Sequence, residues 1–214
     1  MCKKEEAGSL RAALFGVFCA LLFIIIGAVN AWVRPGDPRA LGGRGKGLTD
    51  VALETEALIL RPARPADLDV LFELWTHPSV RRFLFDDREI SRGEAKTFLE
   101  RSETSFDETG YGLWLFFEKA TGTIGGFAGL LRSAEGEPSL IFGTDPRLWG
   151  RGYAFQGATA VLAYAFETLG LVRVAADVDE PNEASVRVLE KLGMRRTGRR
   201  IVEGRPLLDY EIRR

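Results

Sequence analysis

The sequence predicts an α+β domain of three layers, a mixed sheet flanked by helices, preceded by one N-terminal helix of transmembrane type. Three observations predict it. Short segments rich in branched and aromatic residues alternate with helical patterns, and the early strands come as an antiparallel hairpin. Between Asp145 and Met194 a strand leads through a glycine-rich turn, a long amphipathic helix and a second apolar strand to a second capped helix. Far upstream, Ala12 to Val33 carries no charge. The chain therefore divides into a short tail (1–11), the apolar helix (12–33), a Gly/Pro/Arg linker (34–53) and a globular domain (54–214).

The composition narrows the function classes. With 29 basic and 30 acidic residues in 214, the net charge is −1, which leaves no overall electrostatic footprint for nucleic acid. Cys2 and Cys19 both precede the globular part, so the domain has no disulfide, no thiol nucleophile and no cysteine metal ligand. His77 is the single histidine. It has no partners at triad or metal spacing, and in Trp75-Thr76-His77-Pro78 it reads as a helix-end residue. No metal site is predicted.

Taken in order, Ala12 to Val33 would span about 33 Å as a helix, enough to cross a hydrocarbon core. A membrane anchor, a cleaved signal peptide and a translated extension ahead of the true start are competing readings. The linker has almost no apolar pattern and reads as a flexible tether. Ala57 to Arg61 is the first strand, stopped by Pro62. Pro65-Ala66-Asp67 opens a helix with Leu68, Leu71, Phe72 and Trp75 at helical spacing. Pro78 to Ile90 reads as charged and irregular, and Ser91-Arg92-Gly93-Glu94 is a capping box for the next helix. Gly112 to Glu118 and Thr123 to Leu130 form the hairpin, and Ser139 to Thr144 is the strand after it. The helix beyond the glycine turn has small residues near its start, suited to close approach to a sheet. Leu171 to Val178 is a buried-type strand. Asn182 is the N-cap and Gly193 the C′ residue of the last helix, and Arg199 to Ile212 is a closing strand pair that turns at Glu203 to Pro206.

The glycine turn carries the chemistry. Gly150 and Gly152 flank Arg151, so the backbone can take positive φ and aim successive N–H groups at one point. A helix starting just beyond adds its unpaired first-turn donors and positive dipole end, which together suit a phosphate. The same glycines would also serve a tight loop that binds nothing. Two familiar phosphate loops fail at defined positions. A dinucleotide fingerprint needs glycine at Phe155; a Walker-type loop around Gly42 to Lys46 needs glycine at Ala40 and Ser or Thr at Gly47.

Arg147, Gly150 and Gly152 match the Gln/Arg-x-x-Gly-x-Gly/Ala acyl-CoA loop of the GCN5-related N-acetyltransferases. Asp145-Pro146 ahead of Trp149-Gly150-Arg151-Gly152-Tyr153-Ala154, and Asn182-x-x-Ser185 ahead of Leu189-Glu190-Lys191-Leu192-Gly193-Met194, resemble the branch of ribosomal-protein N-terminal acetyltransferases (RimJ/RimL-like). The resemblance covers roughly Leu58 to the C-terminus. It implies acetyl-CoA as co-substrate, held by Thr144, Arg147, Leu148, Trp149, Gly150, Arg151, Gly152, Tyr153, Asn182 and Ser185 between two splayed strands. It implies direct acetyl transfer to a primary amine: a protein N-terminus, a polyamine or an aminoglycoside-like molecule.

Many members of that family use a tyrosine on the last helix as the acid, and this chain has none there; Ser185 is the implied proton donor, or else a structural or CoA-contacting residue. Asp177, Asp179, Glu203 and Asp209 are candidate bases. The first helical region is implied as the acceptor wall, with Arg81, Arg82, Asp86, Asp87 and Arg88 as specificity candidates. An acetyl-CoA enzyme needs the cytoplasm. The basic residues flanking the apolar run (Arg34, Arg39, Arg44 and Lys46 after it) favour an anchor with the catalytic domain on that side; the alternative is a wholly cytoplasmic protein. A functional rival is a catalytically weak, membrane-tethered acyl-CoA-binding module.

Overall fold

A computed structural model describes residues 51–133 and 136–214. The tail, the apolar segment 12–33 and the linker through residue 50 lie outside the described residues. Among the described residues no helix is long and apolar enough to cross a membrane.

The elements are β1 (Leu53–Glu54), β2 (Leu58–Pro62), α1 (Leu68–Thr76), α2 (Pro78–Leu84), α3 (Arg92–Thr109), β3 (Leu113–Glu118) and β4 (Ile124–Arg132). They continue as β5 (Pro138–Thr144), α4 (Tyr153–Glu167), β6 (Arg173–Asp179), α5 (Glu183–Lys191), β7 (Arg195–Val202) and β8 (Arg205–Arg213). One sheet runs β1-β2-β3-β4-β5-β6-β8-β7. Neighbours are antiparallel throughout except β5 and β6, which are parallel.

Both faces of the sheet are covered, and β3 shows why its sequence is apolar at nearly every position. Leu113 and Leu115 face a core built with Leu71, Trp75, Val80 and Leu99, from α1 to α3. Trp114 and Phe116 face the opposite core, with Val161, Leu162 and Ala165 of α4. Period-two alternation between two cores removes the polar face that a half-exposed strand would keep. Trp75 anchors the first core, meeting Phe85, Phe98 and Phe127 edge-on at centroid distances of 6.0, 5.0 and 6.1 Å. In the second core α4 lies close on the sheet because of Gly157. A Cβ there would stand 3.2 Å from Phe116 Cδ1 and 3.4 Å from Ala128 Cβ.

Helix boundaries follow local chemistry. Ser91 Oγ accepts from the Glu94 N–H and Glu94 accepts from the Ser91 N–H, so the capping box forms. The segment expected to be irregular contains α2 instead. Pro78 sits in its first turn with φ preset, and His77 Nδ1 accepts from the Ser79 N–H at 3.2 Å, so His77 ends α1 and caps α2. Val80 and Leu84, at helical spacing, then pack on the core. The closing hairpin starts at Arg195 rather than Arg199, with a bulge at Thr197.

Order also begins ahead of residue 54. Val51 and Leu53 pack against the second core, β1 pairs with β2, and Trp114 Nε1 donates to the Val51 carbonyl at 2.9 Å. A chain begun at Thr55 leaves this buried indole donor without its partner, at a cost of about 1–3 kcal/mol. Urea unfolding of that chain is expected at a lower midpoint than for one begun at Asp50; equal midpoints would mean that β1 contributes nothing.

Candidate functional site

The site follows from one incomplete strand pairing. β5 and β6 are bridged at Ser139 and Ala175, with no further register pair along them. β5 stays with β4 as far as Thr144, and β6 stays with β8 as far as Asp179. The two strands therefore diverge, and a cleft of about 820 Å³ opens between them. Leu140 to Thr144 form one wall and Ala176 to Asp179 the other. α2 contributes Ser79, Val80 and Phe83; the turn after β5 and the starts of α4 and α5 complete the lining.

At the cleft's edge Asp145 opens a short 3-10 turn, its Oδ1 accepting from the Arg147 N–H at 2.9 Å. Trp149 Nε1 donates to the Thr144 carbonyl at 2.9 Å, and its ring is left 57% exposed. Gly150 and Gly152 follow at φ 79° and 76°, with nothing within 4 Å of where either Cβ would stand. The space in front of the turn is thus open, and the backbone conformation is what requires glycine. Gly152 caps α4 without a side chain, so the first-turn N–H groups of Tyr153, Ala154 and Phe155 face the cleft edge uncapped. The positive end of a 15-residue helix adds to them. This arrangement fits a phosphate-bearing ligand running from the turn into the splayed strands.

Thr144, Leu148, Trp149, Gly150, Gly152, Tyr153, Asn182 and Ser185 all line the cleft. Arg147 and Arg151 do not. Arg147 forks onto Asp145 (Nε 3.0 Å, NH2 2.5 Å), a buried carboxylate that this guanidinium holds below the usual carboxylate range. Arg151 lies 2.9 Å from Glu118, which also accepts from Tyr153 at 2.5 Å and Thr121 at 2.9 Å. The Tyr153 hydroxyl first, then Thr121 and Arg151, hold the Glu118 carboxyl below its ordinary range. A buried carboxylate left alone would be costly, so both arginines are committed to charge pairing within the protein. The backbone donors of the turn are left as the uncommitted positive groups at this edge of the cleft.

On the other wall Asn182 Oδ1 accepts from the Ser185 N–H at 3.3 Å as the N-cap of α5. The half-buried Ser185 hydroxyl makes no hydrogen bond to the described residues. Of the candidate bases, Asp177 and Asp179 line the cleft. Burial pushes the Asp179 carboxyl up; Arg205 opposes this, while Asp86 and Asp177 add to it. Asp177 is likewise pushed up, by burial first, with Arg200 opposing and Asp209 and Asp86 adding. Asp209 faces Asp177 across the β6–β8 pairing and binds Arg200 at 2.8 Å, outside the lining. Glu203 is exposed at the β7–β8 turn and does not line the cleft.

Among the acceptor-wall candidates only Asp86 reaches the cleft. Arg81 pairs with Asp87 and Glu89, Arg88 pairs with Glu94, and Arg82 lies over the Phe83 ring. Sequence reasoning missed Ser79, Val80 and Phe83 because it missed α2, although Pro78 after a capping histidine was a usable signal. It also missed Lys191 stacked over Phe155 at 4.2 Å, where both line the cleft, and the buried Glu118. Nothing local marks these three. Among the described residues no group of three or more His, Cys, Asp or Glu is placed to hold a metal ion.

Residues 57–195 match the family model described as the acetyltransferase (GNAT) domain. The chain belongs to the GNAT acetyltransferases. Its relatives include the uncharacterized protein YkkB of Bacillus subtilis, 31% identical over 165 residues, or 74% of this chain and 94% of YkkB. The uncharacterized N-acetyltransferase YoaA of the same organism is 28% identical over 148 residues, covering 68% of this chain and 84% of YoaA. Among solved structures, RimL, a ribosomal L7/L12 α-N-protein acetyltransferase in complex with coenzyme A, shares the fold. Its TM-score is 0.65 at 15% identity, over 76% of this chain and 98% of RimL. As a GNAT member the chain is an acyltransferase that takes its acetyl group from acetyl-CoA.

Gly152→Val forces a branched residue into a left-handed backbone, a strain of about 1–2 kcal/mol or more that the turn relieves by opening. Acetyl-CoA affinity by calorimetry is expected to fall at least about tenfold, with the circular dichroism spectrum unchanged. Wild-type affinity would remove the turn from the binding site.

Proposed function

We propose that this GNAT enzyme acetylates a primary amine that enters between α2 and the β7–β8 turn, with Ser185 and Asp179 serving the proton transfers. The observation that carries the reading is the cleft itself. One end is a glycine turn with free backbone donors, and across the splay stand an unpartnered hydroxyl and a buried carboxylate. Thr144, Leu148, Trp149, Gly150, Gly152, Tyr153 and Asn182 are assigned to the CoA moiety, with Arg147 and Arg151 supporting the turn through Asp145 and Glu118.

Acetyl-CoA supplies an activated thioester carbonyl. The residues of this chain do the rest. Peptide groups on the unpaired edge of β5 offer partners for an extended amide-bearing chain and a donor for the developing oxyanion. Asp179 accepts the proton that the amine loses as its nitrogen bonds to the carbonyl carbon. Ser185 gives its hydroxyl proton to the departing sulfur as the carbon–sulfur bond breaks, and recovers one from solvent. The burden on Asp179 depends on the acceptor. An α-amine of pKa about 7.7–8.0 is neutral in roughly a tenth of molecules at pH 7, whereas a lysine-type amine near 10.4 is neutral in well under a thousandth.

The acceptor class is a protein N-terminus or a small polycationic amine. The fold shared with RimL favours the first; the excess of Asp86, Asp177 and Asp179 over Arg200 and Arg205 at the acceptor end favours a cationic acceptor of either kind. Thiol release over an Ala-initiated peptide, spermidine and kanamycin separates them. Binding of acetyl-CoA without turnover on any primary amine would refute the enzyme reading in favour of a binding module. The uncharged run 12–33 and the basic residues after it support an N-terminal anchor with the catalytic domain cytoplasmic. Extraction of the full chain from membranes by carbonate would overturn that part.

Ser185→Ala is expected to lower kcat by about 10²-fold or more with acetyl-CoA affinity within about twofold of wild type. Equal losses in both would make Ser185 a binding residue. Because Asp179 must be ionised to act, and its pKa is raised, kcat/KM is expected to climb with pH through a midpoint above the ordinary aspartate value of about 3.9. Asp179→Asn should abolish that limb; its survival would move the proton acceptor elsewhere.

A further inference from the structure

Arg205 ties three elements together at the acceptor end of the cleft. It is the first residue of β8, presented by a two-residue turn in which Glu203 and Gly204 take φ 49° and 81°. Its NH1 lies 2.7 Å from Asp86 Oδ1, in the segment between α2 and α3. Its NH2 donates to the Arg82 carbonyl, in the last turn of α2, at 3.2 Å. Its Nε lies 3.5 Å from Asp179 Oδ1 at the end of β6. Neither Arg205 nor Asp86 is a surface pair swinging in solvent: their side chains are 32% and 33% exposed, and Asp179 is 5% exposed.

The three distances differ in kind. The contact to Asp86 is a full charge-assisted hydrogen bond, and it holds a segment whose backbone is unusual. Asp86 and Asp87 are consecutive non-glycine residues at φ 56° and 62°, a conformation that L residues seldom hold unaided. Arg81 ties down Asp87, and Arg205 ties down Asp86. The contact to Asp179 is too long for a good hydrogen bond, so it favours the charged carboxylate without occupying the oxygen that would take a proton. A planar fork can serve all three partners at once; a single ammonium cannot.

We propose that Arg205 is a positioning residue that couples the acceptor-wall segment at Asp86 to the proton-accepting Asp179 through one guanidinium. The inference rests on the reading of Asp179 given above. The other charged groups facing Asp179 are Asp86 from the α2–α3 segment and Asp177 on its own strand; Arg200 of β7 is engaged instead by Asp177 and Asp209. Glu180, next in sequence, is engaged by Arg199. With this surrounding set acidic, Arg205 is the nearest positive charge to Asp179, and its loss is felt there directly.

The test uses Arg205→Gln and Arg205→Lys in the full chain, with two readouts that need no substrate. Carbon-13 carboxyl shifts follow the titration of Asp179, and amide hydrogen exchange follows residues 85–88. Arg205→Gln is expected to move the Asp179 midpoint up by about one pH unit and to speed exchange at 85–88 by about tenfold. Arg205→Lys is expected to keep the midpoint near wild type, because the charge remains, while still speeding exchange. With the best acceptor of the three amines named above, both variants should raise the acceptor KM severalfold. Acetyl-CoA affinity should stay within about twofold, and only Arg205→Gln should shift the acid limb of kcat/KM to higher pH.

An unchanged Asp179 midpoint together with unchanged exchange in Arg205→Gln overturns the inference. So does a matching loss of acetyl-CoA affinity, which would mark a general structural role. If Arg205→Gln fails to fold, Arg205→Lys and Asp86→Asn carry the exchange arm, and wild-type exchange in both is the overturning result. If Asp179→Asn keeps the acid limb while Arg205→Gln moves the Asp179 midpoint, the proton-acceptor assignment fails and the electrostatic link stands.

Discussion

The divergence of β5 from β6 is the constraint on which the rest of this structure depends. Parallel neighbours ordinarily zip along their length, and here a single bridge at Ser139 and Ala175 joins a five-stranded half-sheet to a three-stranded one. The halves do not fall apart because each strand keeps its other partner, and because Val161, Leu162 and Ala165 of α4 and Leu189 of α5 sit in the same core as Leu140 and Val178. The unpaired peptide edge that results would be a liability in a closed core. In the function proposed above it is put to use as the binding surface.

Around that opening, charge is arranged so that fixed backbone dipoles stand at the cleft's edge while the arginines of the turn are occupied elsewhere. Asp145 and Glu118, both buried, engage the two arginines of the turn. At the acceptor end the balance is reversed, and carboxylates outnumber arginines. Asp177 and Asp179 have pKa values raised by burial, so their ionised forms cost the fold stability. Stability from this source is fully present below the ordinary aspartate range and is lost as pH rises through the raised values.

Much of this was legible in the residues, for physical reasons that also say where legibility stops. Gly150 and Gly152 announce a backbone requirement, and a backbone requirement is local. Ser91 with Glu94 and Asn182 with Gly193 are local as well, and the structure realises both. The pairing of Arg147 with Asp145 could have been suspected from its spacing, whereas that of Arg151 with Glu118 spans 33 positions and depends on the β3–β4 hairpin arriving beneath the turn. Asp179 was one of four acids with nothing in the sequence to choose between them. Its selection comes from burial and from facing the cleft, which only the tertiary structure decides. α2 was overlooked because its charged residues, Arg81 and Arg82, dominate a short segment in which only Val80 and Leu84 do the packing.

The two edges of the eight-stranded sheet are unequal, and the difference bears on how the protein behaves when crowded. One edge is closed off by β1, only two residues long. The other, β7, is eight residues long and mostly exposed. A bare strand edge of that length is a template on which a second chain can grow. It carries Arg195, Arg196, Arg199 and Arg200, and a bulge at Thr197 breaks its register. Any copy approaching edge to edge would bring four more arginines against these four and meet a kinked ladder. The same strand that supplies Arg200 to the site thereby keeps one sheet from extending into the next.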